Sequence, residues 1–111
     1  MVSVSIEVQV LPGKMKEFRQ AFDAILPKFR LEDGCQYYEY PDKNKPNGLS
    51  ITSQWSSWEK TENHFSRKLF CILLGAINIL CEQHQVRIKE GSKLMGMEAI
   101  EKVRKNVSHL H

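Results

Sequence analysis

LSITSQWSSWEKTENHFSRKLFCILLGAINIL, residues Leu49 to Leu80, carries three patterns in succession. Leu49, Ile51, Ser53 and Trp55 share one face of an alternating segment, the period of a strand with one side against a core. Ser56, followed three residues later by Glu59, forms a capping box, so a helix begins there and carries Trp58, His64 and Phe65 among polar neighbours. From Leu69 to Cys81 nearly every position is apolar. That density predicts burial on more than one side and, in so small a chain, a subunit interface. A histidine between a tryptophan-ended strand and so apolar a helix predicts the wall of a pocket.

Upstream, Val2, Val4, Ile6, Val8 and Val10 alternate with Ser3, Ser5, Glu7 and Gln9, which is a half-buried strand. Pro12-Gly13-Lys14 is a turn, and Met15, Phe18, Phe22, Ile25, Leu26 and Phe29 then recur at helical spacing. Pro27 predicts a kink in the last turn, or an end to the helix near Leu26. Leu31-Glu32-Asp33-Gly34 closes the connection. Cys35 to Tyr40 reads as a second strand with Tyr38 and Tyr40 on one side, and Pro41 to Gly48 as a loop joining it antiparallel to Leu49 to Trp55.

Downstream, Gln85 to Lys89 alternates again as a fourth strand. His84 is placed at a helix end, against its last carbonyls. Met97, Ile100, Val103, Val107 and Leu110 form the stripe of a final helix. The order is β-α-β-β-α-β plus a terminal helix, the ferredoxin-like α+β plan with a four-stranded antiparallel sheet. Residues 1–91 read as that domain and 92–111 as a C-terminal helical extension. The sheet face away from the helices has semi-apolar Val, Ser, Thr and Tyr positions, and a second copy stacked on it would make a dimeric α+β barrel.

The 111 residues fit one domain, and a net charge of +3 without a basic run points to no polyanionic partner. Cys35, Cys71 and Cys81 lack CxxC spacing, and the start of the chain lacks the pattern of a signal peptide. A reduced, cytoplasmic, soluble protein is the expectation, with the Asn106-Val107-Ser108 sequon unused. The run Leu69 to Cys81 is too short to cross a bilayer. No Ser, Cys or Lys has a recognisable base partner and there is no phosphate loop, so hydrolase and kinase readings lack support. Leu49 to Trp55 has no Lys or Arg, which argues against the RNA-binding use of such sheets. His64, His84, His109 and His111 show no zinc spacing.

Several pieces in order resemble the antibiotic biosynthesis monooxygenase (ABM) family of dimeric α+β barrels. They are Leu11-Pro12-Gly13-Lys14 with Phe18, Glu32-Asp33-Gly34-Cys35 with Tyr38, Trp55-Ser56-Ser57, and Asn63-His64-Phe65-Ser66 leading to Phe70. The resemblance spans residues 2 to 90 and leaves out the final helix. It implies a pocket between helices and sheet in each subunit. Some members oxidise phenolic or anthrone-like aromatics with molecular oxygen and no metal or flavin, others act on quinols, others degrade heme, and many have no assigned activity. Heme-degrading relatives carry an asparagine where this chain has Ile6 and a heme-ligating histidine where it has Leu74, which sets heme breakdown aside. Many relatives carry a glutamate where this chain has Ser53.

Under that resemblance, His64 is the expected proton acceptor and Tyr38 the hydrogen-bond donor to the substrate oxygen. Trp55 is the expected stacking wall, Phe22 and Phe70 are hydrophobic walls, and Asn63 lies beside the substrate. No cofactor or metal is expected. The partners are a small aromatic molecule and a second copy of the chain. The plainer alternatives stand beside these: His64 capping a hydrogen-bond network or facing water, and the aromatics filling a core. A non-catalytic dimeric protein that binds a metabolite or answers stress fits the same residues.

Overall fold

The computed structural model of the chain describes residues 1–41 and 45–109, with side chains as far as Asn106. Strand β1 (Val2–Val10) sits at the middle of the sheet, pairing antiparallel with β3 (Gly48–Trp55) on one side and β4 (Cys81–Glu90) on the other. Its five alternating aliphatic residues are all buried and form the floor of the core. Outside β3 lies β2 (Cys35–Glu39), and outside β4 lies β5 (Lys93–Met95), giving the order β2-β3-β1-β4-β5 with every pairing antiparallel. The sheet thus has five strands where the sequence reading expects four. A three-residue strand is too short to show an alternation that periodicity can detect.

Helix α1 (Met15–Arg30) buries Phe18, Phe22, Ile25, Leu26 and Phe29 against the sheet. It runs through Pro27 and does not end at Leu26. Proline removes one backbone donor, and only in the last turn, while fully buried Phe29 anchors the end of the helix beyond it.

The next helical segment is two helices. Helix α2 (Trp58–Ser66) and α3 (Lys68–Leu80) are separated by Arg67, whose backbone is extended at φ −75°, ψ 152°. The helix cap is Ser57 and not Ser56: the Ser57 Oγ accepts from the Lys60 N–H at 3.3 Å. Helix α3 buries Phe70, Leu73 and Ile77, but Ile72 and Ile79 are 48% and 74% exposed. Within the single chain these two apolar positions are left uncovered, on the helix for which the sequence reading expects burial on more than one side and a subunit interface.

Strand β4 starts directly at the end of α3, so His84 is a strand residue paired with Val8 and does not meet helix carbonyls. After β5, helix α4 (Met97–His109) lies along its own chain, with Ala99, Ile100 and Val103 in the common core. The Arg104 Nη1 donates to the Phe65 carbonyl at 2.8 Å and to the Arg67 carbonyl at 3.4 Å, closing the end of α2. The side chains of Val107, Ser108 and His109, and residues Leu110 and His111, lie outside the described residues, as do positions 42–44 of the expected loop.

The sheet face away from the helices carries Ser3, Ser5, Thr52, Gln54, Arg87 and Lys89, together with Tyr37 and Leu94 at 42% and 74% exposure. The valines of β1 all point the other way, so the Ser, Thr and Tyr positions expected on this face are there without the expected Val. Among the described residues, no helix is long and apolar enough to cross a membrane.

Candidate active site

Three parts of the fold bring one histidine into a ring of aromatics. In strands β3 and β2, side-chain alternation points Trp55 and Tyr38 toward the helices. Helix α1 supplies Phe22 and Phe29, and the segment running from α2 into α3 supplies His64, Phe65 and Phe70. The Arg30 Nε donates to the Tyr38 carbonyl at 3.0 Å, tying the end of α1 to β2.

His64 is the hub. Its imidazole is 1% exposed and lies under the Trp55 indole, 4.5 Å between centroids and 26° from parallel. Phe29 and Phe70 meet it edge-on at 4.7 Å and 4.9 Å. Its Nε2 lies 2.9 Å from the Tyr38 Oη, and its Nδ1 lies 3.0 Å from Glu32 Oε1. The same carboxylate oxygen is 3.2 Å from Arg67 Nε, so the ring sits between a buried phenol and an ion pair at the α2–α3 break.

Burial depresses the His64 imidazole below its ordinary 6.5, an effect partly offset by the Glu32 carboxylate, so the ring is neutral near pH 7. Burial also holds the Tyr38 phenol well above 10, with the negative charge of Glu32 acting in the same direction. A neutral imidazole hydrogen-bonded to a neutral phenol is an arrangement able to pass a proton. Among the described residues, no three His, Cys, Asp or Glu side chains are grouped to hold a metal ion.

Of the residues singled out from sequence, the structure groups His64, Tyr38, Trp55 and Phe70. Phe22 is one layer removed, tilted on Tyr38 at 6.2 Å. Asn63 is exposed: one position from His64 along a helix, it lies on the outer side of α2. His64 lies in a closed interior and not at a pocket rim, with Tyr38, Trp55, Phe29 and Phe70 all no more than 2% exposed. Larger concavities lie elsewhere: one of about 670 Å³ near Glu7, Gln9 and His84, and one of about 380 Å³ between α2 and α4 beside Trp58.

Sequence reasoning missed Glu32, Arg67 and Phe29 as partners of the imidazole. Glu32 reads as one more turn carboxylate, yet its side chain is 7% exposed and its Oε2 is buried without a hydrogen-bond partner. Gly34 explains the placement. Its φ of +87° folds the 32–34 turn back toward α2, and its carbonyl accepts from the Ser56 N–H at 2.9 Å. Ser53 is 4% exposed and its Oγ accepts from the Trp55 Nε1–H at 3.0 Å, so a hydroxyl here fixes the indole that covers His64.

Comparison with solved structures finds the same fold at low identity. A conserved protein of Methanosarcina mazei superposes with a TM-score of 0.76 at 19% identity, over 80% of this chain and 90% of the other. A Deinococcus radiodurans protein described as a candidate antibiotic biosynthesis monooxygenase gives 0.76 at 20% identity, over 86% and 96%. Its Nitrosomonas europaea counterpart gives 0.75 at 12% identity, over 84% and 100%. Among curated proteins, none matches the chain in sequence. The model of one family, antibiotic biosynthesis monooxygenase, matches residues 1–70, which include β1 through α2, Glu32, Tyr38, Trp55 and His64. The chain therefore belongs to the antibiotic biosynthesis monooxygenase family, on a ferredoxin-like α+β fold.

Proposed function

We propose that this protein is an oxygen-dependent monooxygenase that acts on a small planar phenol, anthrone or quinol without metal or flavin. It works in the cytoplasm as a homodimer joined through the outer faces of its two sheets. The observation that carries the reading is the buried hydrogen bond between His64 Nε2 and Tyr38 Oη inside a shell of flat rings. A planar substrate takes the place of part of that shell, with Trp55 as the stacking wall and Phe22 and Phe70 as apolar sides; Asn63, on the outer side of α2, makes contact only if the helix turns.

On entering, the substrate displaces the Tyr38 hydroxyl from His64 Nε2; His64 then accepts the substrate proton on that nitrogen, and the freed Tyr38 hydroxyl donates to the substrate oxygen as charge builds there. The resulting carbanion or phenolate reduces oxygen directly. For an anthrone, one oxygen atom enters the ring as a carbonyl and the other leaves as water, all four electrons coming from the substrate. The protein contributes deprotonation, orientation and exclusion of water.

One observation favours a second reading, a non-catalytic dimeric small-molecule-binding or stress-response protein: the shell around His64 is closed, with the imidazole 1% exposed. Oxygen uptake with anthrone and hydroquinone separates the two. Uptake that falls in His64→Ala and Tyr38→Phe supports the monooxygenase, and equal uptake in all three proteins refutes it.

A further inference from the structure

Glu32 belongs to neither strand nor helix, and its carboxylate is nonetheless buried against the one interior imidazole among the described residues. The Oε1 to Nδ1 distance of 3.0 Å admits only a hydrogen bond, because a bare Nδ1 facing a carboxylate oxygen would set two lone pairs against each other. The same oxygen also faces the Arg67 guanidinium Nε at 3.2 Å, which can only donate, so Oε1 is an acceptor toward both neighbours. The shared proton therefore sits on the ring. With Nδ1 protonated and the imidazole neutral, Nε2 is a bare acceptor, and the donor facing it at 2.9 Å is the Tyr38 hydroxyl.

We propose that Glu32 is the positioning residue of this site: it holds the His64 proton on Nδ1, so that Nε2 is left to accept from the Tyr38 phenol. Arg67, half exposed at the α2–α3 break, offers its Nε to the same Glu32 oxygen at 3.2 Å and holds the carboxylate in place against the ring. The chain of hydrogen bonds thereby has a direction: Tyr38 donates to His64, and His64 donates to Glu32. A carboxylate that fixes the tautomer of a working imidazole is a general device, and a base held in the wrong tautomer is ineffective however well it is placed. The inference rests on the proposed monooxygenase only where it calls the imidazole a working base.

The test is the protonation pattern of the His64 ring, read by long-range proton–nitrogen NMR on the full-length protein near pH 7. In the wild type the proton is expected on Nδ1. In Tyr38→Phe it stays there, because Glu32 and not the phenol sets it. In Glu32→Leu, which removes the acceptor at similar volume, it moves to Nε2. A proton on Nε2 in the wild type, or a move to Nε2 in Tyr38→Phe, overturns the proposal, and both spectra decide the matter even where the leucine variant does not fold. A folded Glu32→Leu that keeps its Nδ1 proton overturns it too. Absence of oxygen uptake in a wild type whose Nδ1 is protonated sinks the monooxygenase reading and leaves the assignment of Glu32 standing. With uptake present, Glu32→Leu is expected to lower kcat at least tenfold with KM little changed, since Glu32 does not touch substrate.

Discussion

The Trp55 indole covers the His64 imidazole at 4.5 Å while its own Nε1–H is held by Ser53 at 3.0 Å, so one residue both roofs the histidine and is itself locked in orientation. Trp55 is fully buried, and Trp55→Ala should cost about 3–5 kcal/mol, the range for a large buried aromatic. Urea unfolding measures it. A loss below about 1 kcal/mol would show that the rings around His64 do not pack as a unit.

Ser53→Ala should leave the Trp55 N–H without its acceptor in a buried place, at a cost of about 1–3 kcal/mol. The same unfolding experiment reads it, with the tryptophan fluorescence of the folded state reporting any change around the indole. Ser53→Glu should cost more, because it puts a charged carboxylate at a site 4% exposed, where it loses its hydration.

Stability should fall on both sides of neutrality for different reasons. The His64 imidazole is depressed below 6.5 by burial, so the unfolded chain binds the proton first; this contribution is present above 6.5 and is lost as pH falls below it. Cys81, raised by burial from 9.0 to about 11, and Tyr38, raised above 10, act in the opposite sense. Their contributions are present below 9 and 10 respectively and are lost as pH rises through the folded-state values. Denaturant midpoints between about pH 5 and 10.5 check this, and His64→Gln should flatten the acid side alone.

Arg104→Ala should release the Phe65 and Arg67 carbonyls at the end of α2, costing about 1.5–3 kcal/mol as the loss of charged hydrogen bonds. Hydrogen exchange should quicken at the end of α2 before it does in β1. Unchanged exchange there would mean that α4 lends α2 no support.

Gly34→Ala should destabilise by about 1–3 kcal/mol. The backbone there has φ +87°, and an added Cβ would meet the Lys60 Cγ at 2.4 Å and the Ser56 Oγ at 2.9 Å. Because this turn carries Glu32, the variant should also disturb the imidazole signals of His64.

The alternation of Val2 to Val10 and the helical spacing of Met15 to Phe29 are enough to read the layering of the fold, since each encodes a one-sided burial that the structure repeats residue by residue. The break at Arg67 is not readable, because nothing in Ser66-Arg67-Lys68 is a helix breaker; the two helices part where tertiary packing re-aims the chain. Strand β5 is too short to carry a period. At the site, Tyr38, Trp55, His64 and Phe70 stand out by residue type. Glu32 does not, because 32 residues separate it from His64 and only a turn with positive φ at Gly34 carries it inward.

Strand β5 ends the sheet beside β4 with only Lys93, Leu94 and Met95. It pairs with Ile88, Lys89 and Glu90 alone among the ten residues of β4, and no strand faces the run from Cys81 to Arg87 on that side among the described residues. The short strand, with a lysine on it, therefore shuts one end of that rim to a foreign chain and leaves the other end open. Deleting residues 93–95 should lengthen the open edge and make edge-to-edge assembly easier.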